Sequence, residues 1–136
     1  MVNLKIDHNE ISVPEGTTIM EAAALAGIDI PKLCYLKDIN EIAACRVCLV
    51  EVVGKEKLVT SCNNKVQEGL EILTNSPKFR VARKKNVQLI LSQHDFKCAT
   101  CVRSSNCTLQ TLSNDLNIIK LTFKERVEHA PWDQKY

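Results

Sequence analysis

All seven cysteines of this chain lie between positions 34 and 107, and they fall into two groups of ligand-like spacing. The first group reads Cys34-x10-Cys45-x2-Cys48-x13-Cys62. The second reads His94-x3-Cys98-x2-Cys101-x5-Cys107, with a histidine where a fourth thiolate would be expected. A C-x2-C pair lets one turn of backbone present two sulfurs to the same centre while more distant ligands close the cage. Four donors per group therefore suit an iron-sulfur cluster, and no cysteine is left over.

The 136 residues allow one domain, or one domain with a small appendix, and only a modest core that bound metal would help to hold. Hydrophobic residues at 45% and charged residues at 25% exclude general disorder. The N-terminus, Met1-Val2-Asn3-Leu4-Lys5, lacks the apolar run of a signal peptide, and nothing later approaches a membrane span. A cytoplasmic protein without direct membrane insertion is expected. In that reducing compartment an odd number of cysteines in C-x2-C pairs argues for metal rather than disulfides. The formal charge of +2 counts the thiols as neutral. With seven thiolates and two oxidised cluster cores the loaded chain would sit near about -1.

Val2, Leu4 and Ile6 alternate with polar residues, and Ile11 and Val13 do so again, which predicts a two-stranded hairpin. Pro14-Glu15-Gly16 breaks the pairing. Thr18 with Glu21 has the form of a capping box, so a helix should follow with Ile19, Ala22, Ala23 and Ala26 on its inner face and Gly27 as its left-handed stop. Pro31 leads the chain extended into Cys34. Ile42 to Cys48 should wrap closely around sulfur, with Ala43 and Ala44 permitting the approach of backbone N-H groups. Strands are expected at Leu49 to Val53, Leu58 to Thr60 and Leu70 to Leu73, giving a mixed sheet crossed by one helix.

Ser76-Pro77 opens a second helix of about four turns that runs to Leu91. Phe79, Ala82, Val87, Ile90 and Leu91 are its candidates for burial. Arg80, Arg83, Lys84 and Lys85 are expected on a solvated face, one that could also meet an acidic partner. No aromatic residues interleave with this basic run, so nucleic-acid binding is not expected. Leu109, Leu112 and Leu116 are spaced for a short helix ended by Asn117, and Ile118 to Phe123 for a last extended piece. His8 and His129 read as ordinary histidines, and Trp132 and Tyr136 as packing or interface residues. Arg46 and Asp95 adjoin ligands and could tune charge, or simply be solvated.

From Met1 to about Ile118 the two spacings, with His94-Asp95-Phe96-Lys97-Cys98 and Asn106-Cys107, resemble the N-terminal region of di-iron (iron-only) hydrogenase large subunits, especially of the NAD-coupled multisubunit kind. They are similar as well to the large iron-sulfur subunit of respiratory complex I. The resemblance implies an α+β chain. Residues 1-76 would form a ferredoxin-like β-grasp domain holding a 2Fe-2S cluster on Cys34, Cys45, Cys48 and Cys62. Residues 77-120 would form a small helical domain holding a 4Fe-4S cluster on His94, Cys98, Cys101 and Cys107, and residues 121-136 a tail or linker. The x10 gap departs from the x4 of plant-type ferredoxins.

No cysteines remain for a catalytic di-iron site, so no catalytic residues are assigned. The chain is expected to relay single electrons among redox domains or subunits of a hydrogenase or NADH-linked complex, as a separate subunit or as the N-terminal module of a longer polypeptide. Three rivals stand beside that reading. The thiols could be buried structural cysteines. The His94 set could be a Cys3His zinc site in a protein-interaction module. The same clusters could serve an iron-sulfur redox sensor.

Overall fold

The computed structural model describes residues 1–123. The expected tail is thus described only at 121–123, and His129, Pro131, Trp132 and Tyr136 lie outside the described residues. Strand β1, Val2–Ile6, pairs antiparallel with β2, Asn9–Val13, through a two-residue turn at Asp7 and His8. Both turn residues have positive φ, the conformation whose twist matches paired strands. Val2, Leu4 and Ile6 face inward as the alternation predicts, and His8 is exposed.

Helix α1, Ile19–Leu25, starts with both halves of the capping box formed between Thr18 and Glu21. It ends in the hydrogen-bond pattern that a left-handed residue allows. Gly27 at φ +75° donates to Ala24 O, and Ile28 donates to Ala23 O. Ile19, Ala22 and Ala23 are buried as expected; Met20 joins them and Ala26 is only half-buried.

Strands β3 (Leu49–Val52), β4 (Val59–Thr60) and β5 (Glu71–Leu73) complete a five-stranded sheet in the order β2-β1-β5-β3-β4. The β1–β5 contact is parallel and the others are antiparallel, so the sheet is mixed. The principal core gathers the inner sides of these strands, α1, and the buried Cys48 and Cys62.

Helix α2, Pro77–Leu91, has the bounds the sequence predicts. Ser76 does not cap it through its side chain; its hydroxyl donates to Glu51 instead. The burial of α2 differs from expectation in one consequential place. Phe79, Arg83, Val87 and Leu91 are the buried residues, four apart along one stripe, while Ala82 and Ile90 are half-buried. Arg83 therefore does not belong to the solvated basic face. Two backbone carbonyls outside α2 make its burial tolerable, since a buried charge must be hydrogen-bonded.

Helix α3, Thr108–Asp115, ends at Asn117, whose positive φ lets Asn117 and Ile118 donate to Asn114 O and Ser113 O. Residues 118–123 form no strand. A second core joins Val87 and Leu91 of α2 with Leu112 of α3 and with Val47, which comes from the loop between Cys45 and Cys48. No described helix is long and apolar enough to cross a membrane.

Candidate metal centres

The first group of cysteines is brought together from three pieces of chain. Cys48 and Cys62 are buried, and Cys34 and Cys45 are half-buried. The Cys45 backbone N-H donates to Cys34 Sγ at 3.4 Å. Positive φ at Ala43 and Arg46 bends the intervening loop, and this is where the sequence called for close wrapping. Burial pushes the Cys45 thiol up, but hydrogen bonds from the backbone of Val47, Cys34 and Leu33 and from the Cys34 thiol outweigh it and draw the thiol below its ordinary value. The Cys62 thiol is pushed up to about 12, first by burial, then by its hydrogen bond with Cys48 and by the nearby charges of Cys48, Cys34 and Cys45.

Cys62 is held through α1. The first amides of that helix, on Ile19 and Met20, donate to Asn64 O and Ser61 O, so the orphan donors of the helix start anchor the turn that carries the cysteine. Ser61, fully buried, donates both its N-H and its hydroxyl to Cys48 O at 3.0 and 2.9 Å, tying the two deepest cysteines to each other. On the far side α2 grips the cysteine loop. Asn86 Nδ2 donates to Arg46 O at 2.7 Å, Arg83 Nε to Val47 O at 2.8 Å and Arg83 Nη2 to Leu49 O at 2.8 Å.

The second group follows the end of α2. His94 N donates to Leu91 O, and the His94 ring meets Phe96 edge-on with centroids 5.6 Å apart. Cys98 opens a short 3-10 turn, Cys98–Thr100, and Cys101 N donates to Cys98 O to close it. Cys101 Sγ accepts from Arg103 N at 3.4 Å. Cys107 is the residue before α3, and its carbonyl accepts from Thr111 N. His94, Cys98 and Cys107 line one small cavity of about 100 Å³ together with Leu91, Phe96 and Leu109. Cys101 is exposed and is not part of that lining. Asp95 pairs with Lys97, and Arg46 is exposed.

Among the described residues no three His, Cys, Asp or Glu side chains close on a point that would hold a single metal ion. The fit to a cluster rests instead on the donor set. Two thiols are buried and two half-buried; burial and the nearby charges of the other three raise the cost of ionising Cys62, a repulsion that a multinuclear cationic core would relieve.

Sequence reasoning missed Arg83, Ser61 and Asn86. Only Arg83 carried a signal, its place in the 79–83–87–91 stripe. Ser61 and Asn86 act through backbone carbonyls whose position no local pattern reveals.

A sheet-and-helix frame carrying a four-thiol site, followed by a helical segment with three cysteines and a histidine, defines an iron-sulfur protein. The chain belongs to the 2Fe-2S iron-sulfur cluster binding domain family, whose model matches residues 1–77. Residues 83–120 match the iron-sulfur binding region of the NADH-ubiquinone oxidoreductase G subunit, a 4Fe-4S region. It is 42% identical over 120 residues to the NADPH-Fe(3+) oxidoreductase subunit alpha of Geobacter sulfurreducens, covering 88% of this chain and 14% of that one. It is 42% identical over 123 residues to the NADP-reducing hydrogenase subunit HndD of Solidesulfovibrio fructosivorans, covering 87% and 21%. Against the NADH-ubiquinone oxidoreductase 75 kDa subunit of Reclinomonas americana it is 37% identical over 113 residues, covering 83% and 16%. The chain thus spans between a seventh and about a fifth of these relatives. A crystal structure of an NAD+-reducing NiFe hydrogenase in the H2-reduced state superposes with a TM-score of 0.85 at 26% identity, covering 96% of this chain and 55% of that one. The hydrogenase and complex I resemblance read from the cysteine spacing is borne out, and so are the two cluster types.

Proposed function

We propose that this chain relays single electrons inside a larger NAD(P)H-linked oxidoreductase or hydrogenase of the reducing cytoplasm and has no catalytic site of its own. Cys34, Cys45, Cys48 and Cys62 hold the 2Fe-2S cluster; His94, Cys98, Cys101 and Cys107 hold the 4Fe-4S cluster. Residues 1–76 form a ferredoxin-like β-grasp domain, 77–120 a helical domain, and 121–136 a tail or linker. The observation that carries this reading is the convergence of four thiols from three chain segments into one crowded, mostly buried site.

When bound, the clusters supply reversible one-electron reduction, with the added charge spread over iron and sulfide. The chain's own residues do the rest. The Cys45 backbone N-H donates to the Cys34 sulfur, and Ser61 fixes the Cys48 carbonyl. Val47 and Cys45 also pack in the core that α2 and α3 build, so the two sites adjoin through covalent and packed structure.

The test is iron and acid-labile sulfide analysis with EPR on protein purified anaerobically. About six irons and six sulfides per chain are expected, the sum of one cluster of each type. A colourless protein carrying stoichiometric zinc overturns the proposal.

A further inference from the structure

Arg83 is 6% exposed on the inner stripe of α2, with its guanidinium 4.8 Å from the centroid of the Phe79 ring. It donates to the carbonyls of Val47 and Leu49, the two residues that flank Cys48. Hydrogen bonds and a ring face compensate part of the cost of burying a cation, and a counter-charge normally supplies the remainder. Among the described residues Arg83 enters no ion pair with a carboxylate. Burial acts against the charge of the guanidinium, a Cys48 thiolate would favour that charge, and the neighbouring Arg80 opposes it. A four-thiolate site around a 2Fe-2S core is net negative when oxidised and gains one further negative charge on reduction. A guanidinium stays protonated, so its charge is permanent.

We propose that Arg83 is a positioning residue for the first cluster. It holds the Cys48 segment against α2, and its fixed positive charge favours the reduced state and raises the reduction potential. This rests on the reading that Cys48 ligates a 2Fe-2S cluster. Arg80 on the same helix is exposed, so solvent screens its charge far more than that of the buried Arg83.

The experiment is EPR-monitored dithionite titration of the full chain, prepared anaerobically, with iron counted for each variant. Arg83→Gln keeps one donor and removes the charge; Arg83→Lys keeps the charge and loses the two-carbonyl grip. The 2Fe-2S midpoint is expected to fall in Arg83→Gln, to stay near wild type in Arg83→Lys, and to be unmoved in Arg80→Gln. The 4Fe-4S midpoint should hold in all three. An Arg83→Gln protein that keeps its 2Fe-2S cluster at the wild-type midpoint overturns the proposal. Should Arg83→Gln fail to fold, Arg83→Met replaces it with the same two outcomes, a lowered midpoint supporting the role and a wild-type midpoint overturning it, and an Arg83→Lys midpoint that falls although the charge is kept also overturns it. A wild-type protein with no 2Fe-2S signal overturns the cluster reading itself, which separates that failure from a wrong role for Arg83.

Discussion

Val47 tests whether the cysteine loop is part of the scaffold or merely lies upon it. The side chain is 0% exposed and packs with Val87, Leu91 and Leu112. Replacing it by Ala deletes the equivalent of two methylenes, a transfer loss of about 1.6 kcal/mol at ~0.8 kcal/mol each. If the space does not close, a void of roughly 50 Å³ adds about 1.2 kcal/mol at ~24 cal/mol per Å³. Hydrogen bonds from Arg83 and Asn86 of the same helix, and from Ser61 to the neighbouring Cys48 carbonyl, pin the loop and leave it little freedom to collapse. The expected loss is therefore about 2 to 3 kcal/mol by the transfer and cavity arguments together. For a chain of this size that is a fall in melting midpoint of roughly 6–11 °C. Melting of the iron-loaded protein, followed by circular dichroism under anaerobic conditions at one fixed scan rate, measures it. Val81→Ala on the exposed side of α2 serves as the control. A midpoint within about 1 °C of wild type, or a fall no larger than that of Val81→Ala, refutes the shared core.

Replacing Cys45 by Ser is expected to remove or alter the 2Fe-2S EPR signal alone, and replacing Cys101 by Ser the 4Fe-4S signal alone; loss of both signals from a folded variant would contradict separate sites. His94→Cys adds one negative charge at the second site and should lower its midpoint in an EPR titration, and an unchanged or higher value in a protein that retains four irons removes His94 from the ligand set. Glu21 is held below its ordinary carboxylate range, first by Lys37 and then by the Thr18 backbone. Its charge therefore contributes stability that is complete above the unfolded value of 4.5 and is lost as pH falls through the lower folded value. Melting midpoints of wild type and Glu21→Gln should differ at about pH 6 and converge as the solution is acidified below about pH 4, whereas a gap that widens in acid would show the opposite linkage.

Much of the local structure was legible because local chemistry dictates it. Alternation at Val2, Leu4 and Ile6 fixes a strand face in any sheet, and Thr18 with Glu21 satisfies helix donors within four residues. Gly27 and Asn117 stop their helices because they adopt positive φ at low cost, and Pro77 starts one because its missing N-H has no partner to lose. The cysteine spacings marked eight candidate donors, and the two cluster types followed from the family resemblance that those spacings carry.

Which segments meet was decided only in three dimensions. No periodicity places β1 beside β5, Ser61 on the Cys48 carbonyl, or Val47 against α2 and α3. Arg83 shows the reason most directly. A charge belongs to solvent unless other groups take over its hydration, and here the groups that do so are carbonyls more than thirty residues earlier in the chain. Local chemistry set the type of most segments, residues 118–123 apart, and marked the side chains that could hold iron. That a cation of α2 reaches the carbonyls on either side of Cys48 was settled in three dimensions, because only packing brings a donor to them.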